Sequence, residues 1–265
     1  MTLCCLRGVS VFGPGLPLWH AARPVLRGNT PLSFIEEKPP APALLSANER
    51  RRSGLPVRLA LAVSEEAVRM AGLGLDQVGA VFASANGEGA IVHGLLETLA
   101  GPDRLLSPTH FHNSVHNAVA GYWSIATGSA QPVTCLGCHD WSFAAGLLKA
   151  VAETRVTGRD TLLCVYDAPL PAPLAAGHET DFAFAAAFVL SPDPAPSALA
   201  RLRVDYDATP ATGETARPRQ AGLRDMSRRN AACRALGLLE AIALERADRF
   251  SLDLLDGSID IEILL

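Results

Sequence analysis

Residues 107–158 read SPTHFHNSVHNAVAGYWSIATGSAQPVTCLGCHDWSFAAGLLKAVAETRVTG. Within them, 115–127 (VHNAVAGYWSIAT) predict a buried helix ended by Gly128, and Pro132 to Leu136 a strand. Ser142 to Thr154 then predict an apolar helix ended near Gly158. The same alternation continues on both sides. Gly79 to Ala85 (GAVFASA) is a short apolar run of buried-strand type, and Gly87-Glu88-Gly89 leads into a helix over Ala90–Leu99. Downstream, 161–166 (TLLCVY) and 182–190 (FAFAAAFVL) are two further buried strands. Strands that are apolar on successive residues, with helices between them, belong to a sheet covered on both faces. The fold class is α/β.

Outward from this centre the signals thin. Residues 3–12 (LCCLRGVSVF) predict a first strand closed by Gly13-Pro14-Gly15. Residues 13–55 are proline-rich and aperiodic, so an irregular excursion is expected. Residues 56–72 space Leu59, Ala62, Val63, Ala67 and Met70 on one helical face, with Gly72 as the stop. Near the C-terminus, Leu199–Tyr206 alternates like a strand and 209–219 holds Pro210 and Pro218 as a loop. Asn230 caps a helix reaching Ala247, and Ile259–Leu264 is an edge or final strand.

The 265 residues, 49% hydrophobic and 19% charged, provide ample core for one large domain or two small ones. Disorder needs the opposite balance. A net charge of -4 and a pI near 6.0 give no basic field for nucleic acid. No apolar run reaches the roughly 18–20 residues of a membrane span. Met1 to Arg7 carries its charge after the apolar residues, unlike a secretory signal, so a cytoplasmic location is expected. The positive mean hydropathy of +0.20 hints at a protein partner.

Six cysteines (Cys4, Cys5, Cys135, Cys138, Cys164, Cys233) are too sparse for a disulfide framework. Cys135-Leu136-Gly137-Cys138-His139 has the C-x-x-C-H form of c-type haem attachment, in which two thiols take the vinyl groups and the histidine ligates iron. Its place inside a strand-to-helix turn argues against that use, as does a methionine supply of only Met70 and Met226 for a second axial ligand. His112 and His116, spaced i, i+4, could complete a zinc set with the two cysteines. Both histidines adjoin Asn113 and Asn117 in a segment with a better explanation, and the expectation is no metal and no cofactor.

That explanation is a resemblance. Ser107-Pro108, Asn117-Ala118-Val119-Ala120-Gly121, Gly128 and the strand opened by Pro132 follow one another as in the N-terminal half of a β-ketoacyl synthase of the thiolase-like superfamily. The opening strand with Gly13, and Gly158 before Thr161–Tyr166, fit the same pattern, and the likeness covers residues 3–192. More narrowly, LSANERRR, FHNSVHNAVAGYWSIATG and DWSFAAGLL are similar to the short chain-length-factor subunits of aryl polyene biosynthesis. The resemblance implies a layered thiolase-like fold. Residues 1–192 would form a ketosynthase-like N-terminal domain, and 193–265 an extension that completes or covers it.

In such synthases a T-A-C-x-S-G turn places the catalytic cysteine at the start of a buried helix, where the helix dipole favours a thiolate ready to accept an acyl chain. Counting from Asn117 puts Asp140 at that position, and counting back from Gly158 puts Trp141 there. Neither can form the thioester. Cys138 lies two residues early; as a displaced nucleophile it would make the chain an autonomous acyltransferase or condensing enzyme, and as a plain buried thiol it would not. Full synthases also use two histidines from a C-terminal half, and no histidine follows residue 192.

The resemblance therefore implies a non-catalytic subunit that pairs with a full-length β-ketoacyl synthase and shapes its acyl tunnel. The ordinary use of Asp140 would be a helix N-cap, with Ser142 beside it. His110, Phe111, His112, Asn113, His116 and Asn117 would lie at the subunit interface or line the tunnel. Trp123, Trp141 and Phe143 are bulky enough to wall it; Phe111, Trp123 or Trp141 could exclude an added two-carbon unit. An acyl carrier protein, being acidic, could meet the eight arginines between Arg201 and Arg234, which otherwise read as a solvated loop, and the run Glu49-Arg50-Arg51-Arg52 reads as a solvated basic patch open to an acidic partner.

Overall fold

The computed structural model describes residues 2–35, 38–178, 180–194, 197–210 and 218–265. In chain order the elements are β1 (Thr2–Gly13), β2 (Leu16–Pro17), α1 (Leu18–Leu26), α2 (Ala47–Arg52), α3 (Leu55–Met70), β3 (Gly79–Ala83) and α4 (Gly89–Ala100). Then come α5 (Pro108–Asn113), α6 (Ala118–Thr127), β4 (Val133–Leu136), α7 (Ser142–Thr157), β5 (Thr161–Asp167) and β6 (Phe184–Ser191). The chain ends with β7 (Ala200–Asp207), α8 (Ala221–Arg229), α9 (Leu236–Ala243), β8 (Asp248–Leu254) and β9 (Gly257–Leu264).

All strands share one nine-stranded mixed sheet in the order β4-β3-β5-β6-β1-β7-β9-β8, with β2 attached to β1. β3 runs parallel to both β4 and β5, and the remaining pairs are antiparallel. Residues 193–265 thus contribute three strands to the same sheet that β1 begins.

The two-residue period of a strand sorts the core into two layers. From β5, Leu163 and Val165 enter one layer while Leu162, Cys164 and Tyr166 enter the other. From β6, Phe184, Ala186, Phe188 and Leu190 join the first, and Ala185, Ala187 and Val189 the second. Helices α1, α7 and α9 supply the first layer's cover, including Trp19, Leu147 and Leu239. Helices α3 and α6 cover the second with Leu59, Val63, Ala67 and Trp123. Both faces being buried explains why these strands read as continuous apolar runs.

The sequence-level reading departs from the structure at several places. Residues 13–55 are not wholly irregular: α1 and α2 lie within them, and α1 carries Pro24 inside the helix. It buries Trp19, Ala22, Val25 and Leu26, so tertiary packing outweighs the proline. The expected helix over 115–127 starts at Ala118, as α6, and ends at Gly128 as expected, but it is half exposed, with Ile125 open to solvent, and a further short helix, α5, precedes it. Met70, assigned to the buried face of α3, is exposed. The expected helix from Asn230 to Ala247 is a 3-10 turn over Ala231–Ala235 followed by α9; Asn230 does cap it, accepting from the Ala232 backbone N–H. β9 is interior, between β7 and β8, and β8 is the edge. Of the loop expected over 209–219, residues 211–217 lie outside the described residues.

Candidate functional site

The parallel strands β3, β4 and β5 end side by side, at Ala83, Leu136 and Asp167. The C-terminal ends of parallel strands are where α/β sheets open a crevice for ligands. Here three loops meet: Ser84 to Glu88 after β3, Gly137 to Trp141 after β4, and Ala168 to His178 after β5, with Thr180 beside them.

The β4–α7 connection is tight because Gly137 has no side chain. A Cβ there would fall 2.9 Å from the Ser84 carbonyl oxygen and 3.0 Å from His116 Nε2. His116 Nε2 donates to the same Ser84 carbonyl at 3.1 Å, so this histidine seals the turn from the α5–α6 side. His139 to Trp141 form one 3-10 turn before α7. His139 has a left-handed backbone (φ 49°), which costs a non-glycine residue about 1–2 kcal/mol. Ser142 ties the turn down, accepting from the Cys138 backbone N–H at 3.0 Å and donating to the His139 carbonyl at 2.7 Å.

Asp140 is not an N-cap. No side chain caps either the 3-10 turn or α7. Its carboxylate instead faces outward from the helix to three cationic or basic groups. Oδ1 lies 3.2 Å from His178 Nε2 and 3.8 Å from His139 Nδ1, and Oδ2 lies 3.6 Å from Arg234 Nη2. His178 was not among the residues singled out in sequence. It sits on an aperiodic Pro- and Ala-rich loop and no local pattern marks it.

His178 connects to the buried floor of the crevice. Its Nδ1 lies 2.9 Å from Asn86 Oδ1, and Asn86 Nδ2 donates to Thr180 Oγ1 (2.8 Å) and the Ala168 carbonyl (3.2 Å). Beneath them Asp167 Oδ1 accepts from Ser84 Oγ (2.8 Å) and the Asn86 backbone N–H (2.9 Å). Burial pushes the Asp167 carboxyl up to about 6, against the opposing effect of those hydrogen bonds and of His178. Glu88, buried at the start of α4, is pushed up to about 7 for the same reason, opposed by the Val57 backbone N–H and Arg58.

The other expected site residues scatter. Trp123 and Phe143 are fully buried on opposite faces of the sheet, Trp123 edge-on to Phe82 and Phe143 against Phe188, so they are core and not the wall of a cavity. Trp141 is half-buried against the layer that holds Phe143. His110, Phe111, His112 and Asn117 are exposed on α5 and at the start of α6. Asn113 is buried, donating to the Arg52 carbonyl at 2.9 Å and accepting from the Tyr122 hydroxyl at 3.2 Å. His112, Asn113 and Asn117 line a groove of about 450 Å³ with Tyr122 and Ile125.

The metal sets weighed in sequence do not assemble. Among the described residues, the one group of three His, Cys, Asp or Glu ligand atoms within 4.8 Å of one another is His139, Asp140 and His178. Cys135 packs beside α6, and burial pushes its thiol up to about 11. His112 stays exposed on α5. Cys138 is half-buried and does not join the histidine cluster.

The family model for the β-ketoacyl synthase N-terminal domain matches residues 27–242. Among proteins with curated descriptions, none matches the chain in sequence. Solved structures share the fold end to end. A ketosynthase (ApeO) in complex with its chain length factor (ApeC) from Xenorhabdus doucetiae aligns with a TM-score of 0.74 and 19% identity, covering 99% of each chain. The ishigamide ketosynthase/chain length factor aligns at 0.71 and 13% identity, over 100% of this chain and 99% of that one. A β-ketoacyl synthase from Burkholderia phymatum aligns at 0.66 and 12% identity over the same shares. No helix among the described residues is long and apolar enough to cross a membrane.

Proposed function

The chain belongs to the β-ketoacyl synthase N-terminal domain family, and from that premise we propose that it is a non-catalytic chain length factor. It pairs with a full-length β-ketoacyl synthase of aryl polyene-type biosynthesis in the cytoplasm and helps to close the partner's acyl tunnel. One observation carries the reading. The turn that joins β4 to α7, where the resemblance places the family's nucleophile, holds His139, Asp140 and Trp141. An aspartate held by Arg234 and faced by two imidazoles cannot form a thioester.

The surface supports a partner. Among the described residues β4 is an end strand of the sheet, bonded to β3 alone. Helix α6 packs beside it, and the exposed apolar side chains of Val115 and Ile125 line one groove there, Ile125 being 75% exposed. An uncovered strand edge with apolar neighbours invites another chain. Phe111 and Trp141 remain available to limit chain length, whereas Trp123 belongs to the core.

Docking of an acidic carrier protein fits the α2 region better than the C-terminal arginines. Arg203, Arg219, Arg229 and Arg234 are each engaged by an acid of this chain, and Arg217 lies outside the described residues. Lys38, Arg50, Arg51 and Arg58 instead line one recess of about 450 Å³ with no acid among the described residues of its wall. Co-expression with a full-length aryl polyene synthase tests the reading. A stable heterodimer is expected, and a lone chain with condensing activity would overturn it.

A further inference from the structure

We propose that His139 Nδ1, Asp140 Oδ1 and His178 Nε2 form a binding site for a divalent transition-metal ion of the zinc type. The ion would tie the β4–α7 turn to the loop that precedes β6. This inference stands independently of the chain-length-factor reading.

Asn86 sets the tautomer of His178. Its Nδ2 has two acceptors, Thr180 Oγ1 and the Ala168 carbonyl, and this fixes the amide so that Oδ1 faces His178 Nδ1 at 2.9 Å. A carbonyl oxygen only accepts, so His178 Nδ1 carries the hydrogen. In the neutral ring Nε2 then presents a lone pair, and it points at a carboxylate oxygen 3.2 Å away. Two acceptors that face each other need a cation between them. A proton on Nε2 would serve His178 alone. It leaves unexplained why a second imidazole, His139, stands edge-on to the first at 4.3 Å and brings its Nδ1 to 3.8 Å from the same oxygen. One metal ion takes both rings in their neutral form.

The distances suit such an ion. Metal–ligand bonds of about 2.0–2.1 Å at a tetrahedral angle put neighbouring donors about 3.4 Å apart. The two separations from Asp140 Oδ1, 3.2 and 3.8 Å, bracket that value, and all three donors lie within 4.8 Å of one another. Three protein donors leave a fourth position for water. The outer shell is of the kind that orients ligating residues: Asn86 holds the far nitrogen of His178, and Arg234 holds Asp140 Oδ2 and leaves Oδ1 to the ion. Arg234 also repels a cation, so it fixes geometry at some expense of affinity. Imidazole and carboxylate donors favour zinc and its neighbours over calcium or magnesium.

The full chain, stripped with a chelator and dialysed, is titrated with Zn²⁺ by calorimetry and with Co²⁺ by visible absorption. The proposal expects one ion per chain and a tetrahedral cobalt spectrum. His178→Ala and Asp140→Asn should each weaken binding by about tenfold or more, and Asn86→Ala, which touches no ion, by about 10- to 100-fold. His112→Ala and Cys135→Ser should change nothing. Should His178→Ala fail to fold by circular dichroism, His139→Ala carries the test, since that side chain is 59% exposed. No saturable uptake, or uptake unaltered in His139→Ala and Asp140→Asn, overturns the proposal.

Discussion

His178 Nε2 lies 3.2 Å from Asp140 Oδ1, although 38 positions separate the two residues. The contact draws the acid away from the start of α7, so the helix begins without a side-chain cap. It also joins the turn after β4 to the loop after β5 across the crevice at the strand ends. The turn where the resemblance would place the family's thiol is, on the proposed reading, part of a polar clasp.

The clasp depends on Ser142, fully buried beneath it. Ser142→Ala removes the acceptor for the Cys138 N–H and the donor to the His139 carbonyl. Urea denaturation should show a loss of about 1–3 kcal/mol, the net worth of two part-buried hydrogen bonds.

Glu88 gives the stability a pH dependence. Its folded value is about 7 against an ordinary 4.5, so the native state holds the proton more tightly than the unfolded chain. A raised carboxyl contributes stability fully below pH 4.5, and that contribution is lost as pH rises to about 7. Glu88→Gln keeps the shape without the charge. It should be up to about 3 kcal/mol more stable than the parent at pH 8 and about equal to it at pH 4. A parent and variant with parallel profiles from pH 4 to 8 would contradict this.

Trp123 and Trp141 should separate cleanly. Trp123→Ala opens the core beside Phe82 and should cost about 3–5 kcal/mol without altering product length in the assembled complex. Trp141→Ala, at the half-buried turn, should cost less and shift products toward longer chains. Mass spectrometry of products from the co-expressed complex distinguishes the two.

Ile125→Glu tests the α6 groove beside β4 as a subunit surface. The side chain is 75% exposed, so the lone chain should keep its stability to within about 0.5 kcal/mol. Affinity for the synthase should fall about tenfold or more, as when a central apolar contact is lost. Unchanged affinity would place the partner elsewhere.

The residues explain why some of this was legible in sequence and some not. β5 and β6 announce themselves because both their faces are buried, leaving unbroken apolar runs such as TLLCVY. α1 is obscured by Pro17 before it and Pro24 within it, and its evidence is tertiary: Trp19, Ala22, Val25 and Leu26 pack into the core. The break between the 3-10 turn and α9 is invisible because alanine and leucine suit either conformation. β8, DRFSLDL, opens with two charged residues and stays unassigned in sequence, its strand character coming from its pairing with β9. Of the site, the β4–α7 turn was marked by the family resemblance. His178, the partner of Asp140, was not, because long-range contacts leave no local period.

The central claim is that this chain carries no acyl nucleophile and works beside one that does. Intact-mass and peptide mass spectrometry after incubation with an acyl thioester tests it most directly, on the lone chain and on the co-expressed heterodimer. The account predicts an unmodified chain in both samples and an acyl adduct on the partner's cysteine alone. An adduct on Cys138 of this chain would contradict it and make the protein an acyltransferase in its own right.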